Sequence, residues 1–306
     1  MTDSTLTIAT RQSTLALWQA NFIADELRSA HPGLTVELLP MSTRGDEILD
    51  RSLAKIGGKG LFIKELETAL ADGTAQLAVH SMKDVPAQMP EGFALPVIGF
   101  RADVRDAFVS NSCDSLAALS QGARVGSSSL RRQAQLLALR PDLQVAPVRG
   151  NVETRLRKLD EGEFDAIMLA SAGLDRLGLA QRVRERLDPR RCVPAVGQGA
   201  LGIECRADDE RTQALLEPLN SPVDSLCVAA ERAVSEALGA SCSTPLGALA
   251  ELDLATRTLT LHAVLAAPDG QTVLRSEAQG SDPASVGAEA AQALLAQGGQ
   301  AILDAL

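Results

Sequence analysis

The apolar run Leu77-Ala78-Val79 stops at His80 and is followed by a hydroxyl, an ammonium and a carboxylate: Ser81, Lys83 and Asp84. The run is short enough for a buried strand, and Pro86 keeps the segment from continuing as a helix. Asp84 is therefore expected on a loop past a strand's carboxyl end, where ligands bind in open α/β sheets. Two readings fit an Asp there: a group that handles protons or stabilises a cation, and a turn-forming residue.

Basic residues recur at helix starts. Ser13 is placed to cap a helix and has Arg11 beside it; Ser129 precedes Arg131 and Arg132; Asn151 lies between Arg149 and Arg155. A helix N-terminus offers unpaired N–H groups and positive potential. Guanidinium forks match carboxylates in two-point contact, so Arg149 and Arg155 could share one ligand acid. A further strand-end loop, Ala170 to Arg176, adds Arg176. Lys55-Ile56-Gly57-Gly58-Lys59-Gly60 reads as a cationic flap over a ligand or as a solvated loop, and it lacks the phosphate-loop pattern. Cys242 lies among small polar residues, so its thiol is expected to be reachable, as a nucleophile or as an unreactive loop thiol. No His is near it in sequence, which leaves a papain-like role with little support.

The rest of the composition narrows the class. With 306 residues the chain has room for two or three domains. Six Phe, one Trp and no Tyr leave the core to Leu, Val, Ile and Ala, and argue against a base-stacking nucleic-acid surface. A net charge of −10 argues the same way. Charge is uneven: residues 101–191 hold 16 Lys and Arg against 12 Asp and Glu, whereas 220–306 hold 3 against 10. A basic middle in an acidic chain points to a small anionic ligand. Five Cys without a Cys-x-x-Cys pair, and three His, indicate neither a disulfide framework nor a metal site. Met1-Thr2-Asp3-Ser4 has no basic or apolar leader character, and nowhere do eighteen apolar residues run together. A cytoplasmic, reducing setting without membrane contact is expected.

These groups need elements to position them. Strands are expected at 6–9, 35–39, 76–80, 93–100, 124–126, 143–148, 166–170 and 201–205, with helices from Ser13, over 61–71, from Ser129 and from Asn151. The expected fold class is α/β: two lobes with parallel-type mixed sheets, followed by a small α+β domain with an antiparallel sheet. The boundaries read as 1–100 with 200–218 for the first lobe, 101–199 for the second and 219–306 for the third domain. Residues 101–105 and 193–200 would be paired hinge strands between the lobes. The third domain would hold a helix over 223–238, strands around 259–265 and 272–275, and one final helix over 283–306.

Taken together, Arg11-Gln12-Ser13, the Lys55 to Gly60 segment, His80 to Pro86, Ser129-Leu130-Arg131-Arg132, Arg149-Gly150-Asn151 and Gly197-Gln198-Gly199 resemble the porphobilinogen deaminase family over essentially the whole chain. That resemblance implies a three-domain transferase of tetrapyrrole biosynthesis, acting as a monomer, whose first two domains resemble the lobes of periplasmic anion-binding proteins. It implies a dipyrromethane cofactor on a thioether to Cys242, and porphobilinogen with its linear oligomers as ligands. By position, Asp84 would be catalytic and the single carboxylate of the site. Ser13, Lys83, Ser129, Arg131 and Arg132 would hold the cofactor; Arg11, Arg149, Arg155 and Arg176 the substrate; Lys55 and Lys59 would belong to a flap. Two other classes share features with it. A bilobal anion-binding or sensor protein would use the arginines but has no need of Asp84 or Cys242. A phosphate-ester enzyme would need a metal-ligating carboxylate cluster or nucleotide loop that the sequence does not offer.

Overall fold

A computed structural model describes residues 5–43, 63–241 and 243–306. Lys55, Lys59 and Cys242 lie outside the described residues. Strand β1 (Thr5–Arg11) turns Leu6 and Ile8 into the core. Helix α1 (Thr14–Ala30) follows, capped by the Ser13 hydroxyl, which accepts from the Ala16 N–H at 3.4 Å. It buries Ala16, Ala20, Ile23, Ala24 and Leu27, the spacing of one helical face. Next come β2 (Thr35–Met41), α2 (Lys64–Ala71), β3 (Leu77–Ser81) and β4 (Phe93–Gly99). After a first crossing, the second lobe contains β5 (Asp106–Val109), β6 (Arg124–Gly126), α3 (Leu130–Leu139), β7 (Gln144–Ala146), α4 (Val152–Asp160), β8 (Ala166–Ala170), α5 (Ser171–Arg176) and β9 (Glu185–Arg186). The chain then returns to the first lobe as β10 (Leu201–Arg206) and α6 (Glu210–Leu216).

The two lobe sheets share one plan. Their strand orders are β2-β1-β3-β10-β4 and β7-β6-β8-β5-β9. In each, three strands run parallel and the fourth runs antiparallel to its neighbours. The fourth strand is in both cases the one that has just crossed from the other lobe. This arrangement brings the carboxyl ends of the parallel strands to the two crossings: Leu201 pairs with Ser81, and Asp106 with Ala170. The ligand groups at those ends therefore gather between the lobes.

The third domain packs α7 (Pro222–Ala237) and α8 (Pro283–Ala296) on the antiparallel sheet β11 (Leu246–Asp253), β12 (Thr258–Ala266) and β13 (Val273–Gly280). Leu259, Leu261, Ala263 and Leu265 alternate inward against Ala230, Val234, Ala290 and Leu294. The last helix is not continuous to the end. Gly298 adopts φ 99° and separates α8 from α9 (Gly299–Asp304).

Three further local expectations differ from the structure. Ala170 to Arg176 is not a loop, because α5 starts directly at Ser171 and packs its small residues Ser171, Ala172 and Gly173 out of solvent. The two crossings lie side by side but form no strands: Pro194 and the left-handed backbone at Phe100, Gly197 and Gly199 break any ladder. Asp84 sits on a single 3₁₀ turn, Met82–Asp84, rather than on an open loop.

Candidate active site

Asp84 leaves the carboxyl end of β3 beside Lys83, and the 3₁₀ turn is held in place by the Met82 N–H donating to the Ala200 carbonyl at 3.0 Å. Ser81 is fixed by Gln19 of α1, whose amide donates to its hydroxyl at 2.9 Å. Lys83 is half-buried. Burial pulls its pKa down to about 8, and Arg132 and Arg155 push the same way, while Asp84 and Asp106 oppose the shift.

The second lobe supplies the other cations. Asn151 caps α4 by accepting from the Thr154 N–H at 2.8 Å, and Arg155 on its first turn donates to the Gly150 carbonyl at 2.8 Å. Burial lowers the Arg155 pKa to about 10, helped by Arg132 and Arg149 and opposed by Asp84. Arg149 is lowered by burial too. Asp84 and Arg155 both act on Lys83, Asp84 and Arg149 both act on Arg155, and these groups come from both lobes. A group of cations depressed by burial and mutual repulsion is relieved when carboxylates arrive. Ser13 and Ser129 spend their oxygen lone pairs on the α1 and α3 caps. Each keeps its O–H as a donor. Arg11 ends β1, in register with Met41 and next to the α1 cap.

Arg131 and Arg132 are placed differently from the simple picture of two free ligand arms. Both are buried on α3 and turn onto Asp106, which is fully buried at the start of β5. Arg131 donates to Asp106 at 2.8 and 3.2 Å, Arg132 at 3.0 and 2.8 Å, and Gln198 at 2.9 Å. The two guanidiniums hold the Asp106 carboxyl well below the usual carboxylate range in spite of its burial. Two arginines on one carboxylate leave a single net positive charge facing Lys83. Asp84 is therefore not the only carboxylate acting on the site. The nearby Cys192 thiol donates to Asp106 at 3.5 Å, and burial pushes its pKa up to about 12, so it is a packed thiol and no nucleophile. Asp106 and Gln198 went unassigned in the sequence. The available signal was an acid directly before the apolar run Ala107-Phe108-Val109.

Arg176, at the end of α5, makes no contact with the other cations of the cleft among its described bonds. Its Nη2 donates to the carbonyls of Phe100 and Gly199 at 3.1 and 2.7 Å.

A cleft between two α/β lobes, with cations from both lobes set around Asp84 and the buried Asp106, is the architecture of a protein for anionic ligands. The chain belongs to the porphobilinogen deaminase family. Residues 6–214 match the family model described as the porphobilinogen deaminase, dipyromethane cofactor binding domain, and residues 225–296 match its C-terminal domain. The porphobilinogen deaminase of Thiobacillus denitrificans is 58% identical over 304 residues, covering 99% of each chain. The protein is accordingly an enzyme of tetrapyrrole biosynthesis with a dipyrromethane cofactor, and the anion-sensor reading is set aside. Solved structures with a similar course include the Bordetella pertussis BvgS VFT2 domain, with 15% identity, 75% of this chain and 92% of that one covered, and a TM-score of 0.44. A putative methionine-binding lipoprotein of Bacillus subtilis shows 14% identity, 72% and 91% coverage, and a TM-score of 0.44.

Proposed function

We propose that the chain deaminates porphobilinogen and joins four such units head to tail, then releases linear hydroxymethylbilane by hydrolysis. The observation that carries this reading is the meeting of half-buried cations from both lobes, Lys83 beside Asp84 at the end of β3 and Arg149 and Arg155 at the start of α4. Each pyrrole unit brings an acetate and a propionate, acids of the sign that cations at the strand and helix ends of both lobes attract. The dipyrromethane cofactor, attached by a thioether to Cys242, supplies the nucleophilic pyrrole carbon onto which units are added. Its carboxylates suit Lys83, the hydroxyls of Ser13 and Ser129, and the net positive charge of the Arg131–Arg132–Asp106 cluster. Arg11, Arg149 and Arg155 take those of the incoming substrate.

Asp84 has the opposite task. When porphobilinogen loses ammonia, positive charge develops on its pyrrole nitrogen, and a fixed carboxylate beside that nitrogen stabilises the cation and accepts its proton. Lys83, next to it, orients a neighbouring ligand acid. Lys55 and Lys59 are assigned to a flap on sequence alone. The unpaired thiols of Cys113, Cys192, Cys205 and Cys227 support a reducing, cytoplasmic setting, and we take the active form to be a monomer.

Intact-mass measurement of the purified protein and of Cys242→Ala tests the assignment. A dipyrromethane-sized excess that vanishes in the variant is the expected result. An unmodified wild-type chain without activity on porphobilinogen would refute it.

A further inference from the structure

Arg176 occupies a place where both crossings and both lobes meet. It stands at the end of α5 in the second lobe. Its Nη2 donates to Phe100 O, on the outgoing crossing, at 3.1 Å, and to Gly199 O, on the returning one, at 2.7 Å. Its guanidinium also lies 5.8 Å above the ring of Trp18, on α1 of the first lobe. Trp18 stacks on Phe22 at 5.3 Å, and Phe22 meets Phe100 edge-on at 5.1 Å, which closes a circuit back to the first crossing.

The backbone at the two gripped carbonyls is unusual. Phe100 holds φ 53°, a left-handed conformation that a bulky residue rarely adopts. Gly199 holds φ 89°, and a Cβ there would stand 2.6 Å from the Ala102 carbonyl oxygen. The crossings are tied to each other at the same level, with the Ala102 N–H donating to Gly199 O at 3.1 Å and Gln198 to the Val104 carbonyl at 2.7 Å. Such strain persists only where the surroundings hold it. A guanidinium bound to both carbonyls supplies that hold.

We propose that Arg176 is a positioning residue that sets the angle between the lobes, by clamping the carbonyls of both crossings and the face of Trp18. A change of lobe angle must rotate the backbone at Phe100 and Gly199, and so must break or reshape this clamp. Lys83 and Asp84 come from one lobe, Arg149 and Arg155 from the other, so the angle decides whether they act on one ligand. Arg176 then serves the reaction without touching a ligand carboxylate. The kinetic consequence rests on the proposed reaction, whereas the clamp itself does not.

Trp18 is the only tryptophan, so its fluorescence reports the clamp directly. In Arg176→Gln, acrylamide quenching of Trp18 is expected to rise about two-fold as the cation–π contact is lost. The radius of gyration from small-angle scattering should increase while far-UV circular dichroism stays as in wild type. Turnover should fall, with KM for porphobilinogen changed less than kcat, and Arg176→Lys should recover part of each effect. Unchanged quenching and scattering with a raised KM would overturn the proposal and make Arg176 a ligand-binding group. If Arg176→Gln does not fold, Trp18→Leu tests the same clamp by scattering alone. An increased radius supports it and an unchanged one overturns it.

Discussion

Asp84 and Lys83 are neighbours with opposed jobs, and their separate substitutions should not look alike. Asp84→Asn keeps the shape and the hydrogen-bonding capacity of the side chain but removes the charge that holds a pyrrole cation. Turnover should fall by about 10²-fold or more, the usual weight of a positioned charge or proton acceptor. Circular dichroism should remain that of the wild type, and near-normal turnover would remove Asp84 from the mechanism. Lys83 acts through its own charge. Its pKa of about 8 lies below the ordinary 10.5, so it is neutral over part of the alkaline range in which an exposed lysine is still charged. The sign follows directly: affinity for ligand carboxylates should weaken as pH rises through about 8. Folding stability shifts the other way, because between about 8 and 10.5 the unfolded chain binds more protons than the folded one, so stability rises across that window. A pH profile of KM for porphobilinogen should show an alkaline rise near 8, and Lys83→Met should lose that rise. A profile unaltered by the substitution would assign the titration elsewhere.

At the scale of elements, the site depends on strand ends whose partners are distant in sequence. Asp106 starts β5 and takes its hydrogen bonds from residues 25, 26, 86 and 92 positions away. Asp106→Asn leaves two guanidiniums buried without their counterion, and breaking such a cluster from one side costs about 3–5 kcal/mol. Thermal melting followed by circular dichroism should show a drop on the order of 10 °C. Wild-type melting would mean that the arginines find other partners. Sequence distance also explains what could be read beforehand. Ser13, Ser129 and Asn151 were legible as helix starts because a residue of this kind there bonds to an N–H three residues on, as each does. The end of β3 was legible because an apolar run stops abruptly at polar residues. Strand β5 was harder to read: its local mark is only the three-residue apolar run after Asp106, and its antiparallel pairing with β8 and β9 is set far away in sequence. Helix α5 was missed for a related reason. Its Ser171-Ala172-Gly173 start has weak helical propensity, and it is stabilised by packing, with Gly173 close to Leu15 of α1.

Across the whole molecule, a buried carboxylate of the third domain ties it to both crossings. Glu231 of α7 is fully buried and accepts from the Gly197 N–H on the returning crossing at 2.7 Å and from the Ala250 N–H of β11 at 2.9 Å. Arg101 on the outgoing crossing pairs with it at 2.8 Å. Burial raises the Glu231 pKa, and Arg101 works against that rise, so the pair is held together against a desolvation penalty. The domain expected to carry the cofactor cysteine is thereby fastened to the same crossings that set the lobe angle. Glu231→Gln retains an oxygen for one N–H and strands the Arg101 charge, whereas Arg101→Met strands the Glu231 charge. Each single variant should lose about 3–5 kcal/mol, and the double variant, with no buried charge left uncompensated, should lose less than the two summed. Denaturant unfolding of the four proteins in the cycle measures that difference. Strict additivity would show that Arg101 and Glu231 act independently, and that the third domain is held by its other contacts, such as the Arg232 bond to the Ala87 carbonyl.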